Sequence, residues 1–489
     1  MAKVPRCMST QHPDNVATPF FAGEGVLAGE DEIKEAYYVF SALGCEEQMW
    51  DCEGKEVDAF VVKKLLTKYE YYFREHVLGE EVFVTLRVPN PEVEKAEAKI
   101  LLETLESIPR SFDAAKLFYG RDVCPIFEVI LPMTSSHEAL NRVYSFYRDF
   151  VAGKQYEKIS PGDITIADWI GEFRPEEINV IPLLEDKNSI LGAAEIITNY
   201  LRDKDLEYQR IFLARSDPAL NYGMVSAVLL NKIALQRLEK AQEDVGVELY
   251  PIIGVGSAPF RGNFYPAGVE ACLRGYPSVQ TFTLQSAFKY DYPQDEVLEA
   301  VDRIKKARRG RALAIEEDRA LDIIERFSAE YSREVALLAP LVDRLSRQIP
   351  RRRARKLHIG LFGYPRRHRG IKLPRAITFC AALYSVGIPP EVLGVSSLKE
   401  RDLDFLSDTY RGFREDMRDA LRYFSEDGLR LIPENLAEKI RAVVERFGGE
   451  VDRAHGEAVK EVISALGRGD IPMLEEKILH AAWIRRFLG

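Results

Sequence analysis

Short runs rich in β-branched and aromatic residues recur through the first three quarters of the chain, with amphipathic helical stretches between most of them, and this alternation constrains the fold more than any other feature. The runs are Val82 to Val88, Pro125 to Leu131, Asn179 to Leu184, Gln209 to Ala214, Leu249 to Gly254, Ser278 to Thr283 and Lys356 to Phe362. The helical stretches include Pro91 to Ser107 and Tyr222 to Glu243. A strand that reaches its neighbour through a helix pairs with it in parallel, so the pattern predicts a parallel sheet. Counting Cys7 to Thr10 as the first, the strands number eight. No Gly-x-Gly-x-x-Gly opens a helix after that strand, as a dinucleotide-binding sheet would require. The expected fold is therefore α/β, a (β/α)₈ barrel of the TIM type, with the strand register left open.

From about Pro389 the β signal disappears, and charged amphipathic helices follow, for example Glu434 to Phe447 and Val459 to Leu466. The 489 residues contain no low-complexity linker and no internal repeat. They are read as one catalytic domain, with the barrel over approximately 1–388 and a helical C-terminal extension over approximately 389–489.

A net charge of −10 argues against nucleic acid or an anionic membrane as the main partner. A small anionic substrate would then need a local cluster of cations. No segment approaches the roughly 18 consecutive apolar residues of a membrane helix. The first residues, Met1 to Arg6, lack the apolar core of a secretory signal. The chain reads as soluble and cytoplasmic. Its six cysteines are scattered without a Cys-x-x-Cys pair, as expected of reduced, mostly buried thiols.

In a barrel the reactive groups sit at the carboxyl ends of strands, so the polar residues that follow each apolar run are the candidates. His12 follows Cys7 to Gln11, Arg87 ends the Val82 to Leu86 run, Glu185 follows Val180 to Leu184, Asp217 follows Ile211 to Ala214, and Arg261 lies beyond Gly254-Val255-Gly256. Glu185 and Asp217 are 217 − 185 = 32 positions apart, one β/α unit, which places two carboxylates on neighbouring strand ends. Two hard oxygen donors with room for water suit Mg²⁺ or Mn²⁺. The competing reading makes each a helix N-cap or an ion-pair partner, and Ser216-Asp217-Pro218 resembles a cap followed by proline. Pro13 restricts the backbone of His12, which is either a general base or a structural histidine. Arg6, Arg87 and Arg215 are further guanidinium groups near strand ends, suited to phosphate or carboxylate. The basic runs Arg351 to Lys356 and Arg366 to Arg369 read as a solvated face or a subunit contact in preference to a nucleic-acid patch.

Taken together, these motifs resemble the phosphoenolpyruvate carboxylase family, in its short archaeal-type branch, from Met8 to about Gly394. Met8-Ser9-Thr10-Gln11-His12-Pro13-Asp14 matches the run that carries that branch's catalytic histidine, which makes His12 the expected general base. Pro182-Leu183-Leu184-Glu185 and Arg215-Ser216-Asp217-Pro218-Ala219-Leu220-Asn221-Tyr222-Gly223 resemble the two segments that supply the family's metal ligands, which fall on Glu185 and Asp217. The family's glycine-rich loop is only partly kept. Arg261-Gly262 falls on its second arginine, whereas Ile253 and Val255 replace its first histidine and arginine. Arg87, after the second of the family's strands, is the best candidate to take over part of the phosphate site, with Arg215 and Lys289 as further substrate-binding candidates. The loop Gly254 to Asn263 is expected to act as a lid.

The resemblance implies a Mg²⁺ enzyme, with Mn²⁺ as an alternative, that joins bicarbonate to phosphoenolpyruvate to give oxaloacetate and phosphate. It also implies a homotetramer, and it leaves strong allosteric regulation unexpected. The competing readings are a barrel mutase or aldolase, which would lack the bicarbonate requirement, and a polyanion-binding scaffold, which would be indifferent to Mg²⁺.

Overall fold

The computed structural model describes residues 4–23, 25–52, 58–95, 98–354, 367–368 and 371–489. Eight strands form one closed parallel barrel: β1 (Cys7–Ser9), β2 (Glu47–Asp51), β3 (Phe83–Arg87), β4 (Glu128–Leu131), β5 (Asn179–Leu184), β6 (Tyr208–Ala214), β7 (Glu248–Gly254) and β8 (Thr281–Leu284). Closure is made by β8 against β1, with Cys7 opposite Phe282, Met8 opposite Thr283 and Ser9 opposite Leu284. The expected (β/α)₈ barrel with further helices is thus what the chain forms. Its membership differs in one strand.

That strand is β2, Glu-Gln-Met-Trp-Asp, which the sequence reading passed over. All five residues are buried although three are polar. Their alternation explains why. Glu47, Met49 and Asp51 face the barrel interior, while Trp50 packs in the core outside it. An interior carboxylate in a strand needs a cation on another strand. Glu47 finds it in Arg210 of β6, which donates to both its oxygens at 2.8 and 2.7 Å and to Glu128 of β4 at 3.0 Å. This buried charged layer closes the amino end of the barrel.

Two residues further along the strands the interior turns apolar, with Met8, Met49, Ile130, Ile181, Leu183, Phe212, Ala214 and Ile252 in one cluster. Two further still, the period of two brings out Asp51, Arg87 and Glu185 at the carboxyl end. The same alternation that builds the core therefore aims these polar groups into the mouth.

The run at Lys356 to Phe362 lies outside the described residues, as do Arg366 and Arg369. Arg367–His368 pairs antiparallel with Ile371–Lys372. Among the described residues every long element after β8 is helical. The helix Glu317–Ser346 packs against Ser216–Tyr222 and Met224–Val245, and Ala376–Ser385 packs against Ser216–Tyr222 and Ile471–Arg485. These late helices thus cover the mouth side of the barrel.

Gly223 joins Ser216–Tyr222 to Met224–Val245 with φ of 84°. A Cβ there would come within 2.5 Å of Phe327. Only glycine satisfies both the left-handed backbone and that close approach.

Candidate active site

The carboxyl ends of the strands open into a cavity of about 270 Å³. Its lining includes His12, Arg87, Glu185, Arg215, Asp217 and Arg261, residues drawn from the ends of β1, β3, β5, β6 and β7. The sequence candidates from separate strand ends are therefore brought together. Lys289 and Arg6 are not among them.

His12 is held by its neighbours. Thr10 N–H donates to Leu284 O at 3.0 Å, continuing the β1–β8 pairing, and the His12 carbonyl accepts from Ser286 N–H at 3.2 Å. The ring Nδ1 lies 2.9 Å from Thr10 Oγ1. In the tautomer that donates Nδ1–H to this hydroxyl, Nε2 is the basic nitrogen.

Glu185 Oε2 accepts from Met133 N–H at 2.7 Å. Met133 has φ of 52°, a left-handed conformation uncommon for a long side chain. Neither carboxylate is a helix cap. Asp186 caps Lys187–Leu191, and Ser216–Tyr222 begins after Arg215 with no side-chain cap at all. The N-cap reading of Glu185 and Asp217 is thereby corrected: the strand of the first runs one residue short of the cap, and the second sits inside the first helical turn.

Three of the arginines are fixed by partners behind the cavity wall. Arg87 makes two parallel bonds to Asp51, Nε to Oδ1 at 3.1 Å and Nη2 to Oδ2 at 2.7 Å. Arg261 donates to Asp14 Oδ2 at 3.0 Å, to Ser216 Oγ at 3.1 Å, to Gly489 O at 2.5 Å, and to Gln285. Arg215 donates to Phe260 O at 3.0 Å. Such bonding places each guanidinium before a substrate arrives, which lowers the cost of ordering it on binding.

Three expectations are corrected here. Lys289 is wholly buried beside Glu35 and does not reach the cavity, because its ammonium needs a carboxylate once it is removed from water. Arg6 donates to the carbonyls of Val279 and Gln280, just before β8, so it lies at the amino end of the barrel. The loop Gly254 to Asn263 is a fixed platform and not a lid. Gly256 N–H bonds Arg261 O at 3.0 Å, Phe264 N–H bonds Gly256 O at 3.0 Å, and Val255 to Arg261 are all buried. The late helices clamp it from outside. Asn263 donates to Asp416 and Asp419 at 2.9 and 2.8 Å, and Phe260 N–H donates to Glu391. A Cβ on Gly256 would lie 2.9 Å from the Arg261 guanidinium carbon, so only glycine lets the arginine fold back over this turn.

Glu391 tests the clamp. Burial pushes its carboxyl up to about 7. The folded protein holds this proton more tightly than the unfolded chain, so it contributes stability that is complete below pH 4.5 and lost as pH rises through about 7. Glu391→Gln keeps a neutral side chain throughout. Its stability is expected to rise relative to wild type by up to about 1.4 kcal/mol per pH unit between those limits, and to run parallel outside them. Urea midpoints from about pH 4 to 8 check this, and a difference that stays constant would remove Glu391 as the titrating group.

Sequence reasoning missed several lining residues: Gln285, Arg351, Arg352, Arg353 and Arg375. The run at 351 reads as a solvated face, yet Arg353 is buried against Glu32 at 2.7 Å and Glu35 at 2.8 Å, and Arg352 donates to Asn15 O. A run of arginines carries no local sign of such distant acids. Arg375 precedes Ala376–Ser385 in the N-cap position.

Seven arginines and two carboxylates line the cavity. The site is thus cationic in a chain of net charge −10. Among the described residues no group of three or more His, Cys, Asp or Glu could hold a metal ion. Two carboxylates holding one ion would leave its remaining positions to water and substrate oxygens, a donor set that suits Mg²⁺ or Mn²⁺.

A parallel (β/α)₈ barrel whose mouth gathers a histidine, two carboxylates and a ring of arginines is the architecture of a barrel enzyme acting on small anions. The chain belongs to the phosphoenolpyruvate carboxylase family, whose model matches residues 4–489. Phosphoenolpyruvate carboxylase of Methanothermobacter thermautotrophicus is 56% identical over 488 residues, covering 100% of both chains. That of Methanospirillum hungatei is 53% identical over 487 residues, again covering 100% of both. Among solved structures, the HpcH/HpaI aldolase of Desulfitobacterium hafniense is 14% identical with a TM-score of 0.32, covering 61% of this chain and 93% of that one.

Proposed function

We propose that this protein carboxylates phosphoenolpyruvate with bicarbonate to give oxaloacetate and phosphate. The observation that carries the reading is the single cavity lined by His12, Glu185, Asp217 and seven arginines in a chain that matches the family over its length.

The arginines neutralise charge on the phosphoryl group while a bicarbonate oxygen attacks phosphorus. The new P–O bond forms as the bond to the enol oxygen breaks, leaving carboxyphosphate and the enolate of pyruvate. His12 then takes the carboxyl proton, and the bond between the carboxyl carbon and the phosphate oxygen breaks to release CO₂ and phosphate. The enolate carbon attacks CO₂. Met49, Leu183, Phe212 and Ala214 give the cavity an apolar floor, suited to CO₂ and poor in water that would protonate the enolate to pyruvate. Glu185 and Asp217 would hold Mg²⁺ or Mn²⁺, which when bound supplies Lewis-acid stabilisation of the enolate.

The family resemblance further supports a cytoplasmic homotetramer. Among the described residues no single helix is long and apolar enough to cross a membrane.

The test is an assay coupled to malate dehydrogenase, with phosphoenolpyruvate, Mg²⁺ and bicarbonate. Bicarbonate-dependent NADH oxidation is expected. A folded protein that turns over phosphoenolpyruvate equally well without bicarbonate would overturn the reading in favour of a mutase or aldolase.

A further inference from the structure

Glu35 lies on the helix Glu30–Ser41, outside the cavity lining, and is wholly buried. Four side chains from three other parts of the chain meet on its carboxylate. Oε1 accepts from Lys289 Nζ at 3.0 Å, Tyr290 Oη at 2.6 Å and Arg353 Nη2 at 2.9 Å. Oε2 accepts from the same Nη2 at 2.8 Å and from Gln11 Nε2 at 3.4 Å.

Three of the four donors lead to the active site. Lys289 Nζ also donates to Ser9 Oγ and Thr10 O, both at 2.9 Å, and Thr10 Oγ1 is the atom beside His12 Nδ1. Gln11 Oε1 accepts from Asp51 N–H at 3.0 Å, and Asp51 is the partner of Arg87. Arg353 lines the cavity itself. A buried ion cluster of this kind is poor evidence for stability alone, since apolar residues of the same volume commonly do as well. What it fixes is geometry.

We propose that Glu35 is a positioning residue for the carboxylation half of the reaction, holding the His12 strand end in place through one buried carboxylate, while Arg353 keeps a second acid in Glu32 at 2.7 Å. This rests on the proposed carboxylase reading. Phosphoryl transfer depends on the arginines and the metal site. Capture of CO₂ depends in addition on where His12 stands when carboxyphosphate forms. Loosening the Lys289–Thr10 tether therefore damages the second half more than the first, and the enolate is lost to water as pyruvate.

The experiment measures oxaloacetate and pyruvate formed per phosphoenolpyruvate consumed, in wild type and in Glu35→Gln, with thermal unfolding recorded for each. The ratio of pyruvate to oxaloacetate is expected to rise by about 10- to 100-fold in Glu35→Gln, the range seen for small misplacements of reacting groups. Tyr290→Phe removes one hydrogen bond to the Glu35 carboxylate and no charge, so it tests the role if Glu35→Gln does not fold. There the ratio is expected to rise about two- to tenfold. A merely structural Glu35 would lower the melting temperature and the amount of active enzyme at an unchanged ratio, and that result in an active wild type would overturn the role alone. A folded wild type that forms no oxaloacetate would overturn the carboxylase reading, and the role with it.

Discussion

His12→Asn is expected to lower oxaloacetate formation by about 10²- to 10⁴-fold, the usual worth of a positioned acid–base group, while bicarbonate-dependent loss of phosphoenolpyruvate continues and pyruvate accumulates. The reason is the order of the steps. Attack of bicarbonate on phosphorus needs charge neutralised on the phosphoryl group, and the arginines supply that in the variant as in the wild type. Release of CO₂ from carboxyphosphate needs a base for the carboxyl proton. Asparagine fills a similar volume beside Thr10 but has no basic nitrogen at neutral pH. Product analysis separates the two halves: a variant that makes oxaloacetate at the wild-type rate would remove His12 from the role.

Glu185→Gln and Asp217→Asn are each expected to weaken Mn²⁺ binding by more than about 100-fold, since even partners one bond removed from a metal change affinity by 10- to 100-fold. Carboxylation should fall with it. A neutral amide offers the ion one oxygen and no charge, and among the described residues no group of three or more possible ligands makes up a second site. Glu185→Gln keeps an acceptor for the Met133 N–H, so the backbone turn there is retained. Calorimetric titration of Mn²⁺ into the free protein reads the effect without turnover. Undiminished binding in both variants would move the metal site elsewhere.

Much of the arrangement was legible because the rules that made it are local. A parallel strand covered on both faces buries nearly every residue, so β3, β5 and β6 announce themselves as apolar runs, and in β3 and β5 the next inward position carries Arg87 or Glu185. Pro13 marks the end of β1 and so points to His12. One β/α unit between Glu185 and Asp217 makes neighbouring strand ends the expected outcome, and β5 does pair with β6.

The same locality explains what was misread. β2 lacks an apolar run because its inward face is Glu47, Met49 and Asp51. The acids among them are tolerated only because Arg210 and Arg87, on other strands, are there to meet them. Arg352 and Arg353 read as solvated for want of nearby acids, yet Arg353 pairs with Glu35 across 318 positions of sequence. Lys289 stands among the substrate-binding candidates, but the acid that takes its charge sits on a helix 254 positions earlier. The glycine-rich loop has the composition of a mobile lid and is pinned by Glu391, Asp416 and Asp419 from the late helices.

The sequence by itself therefore determined the parallel barrel, the strand ends from which chemistry starts, and the family to which its motifs point. Only the tertiary structure decided which strands close the barrel, which cations face the cavity and which are spent on buried acids. Periodicity is written within a few residues, whereas a buried charge must be answered by whatever partner the fold brings to it, however distant in the chain.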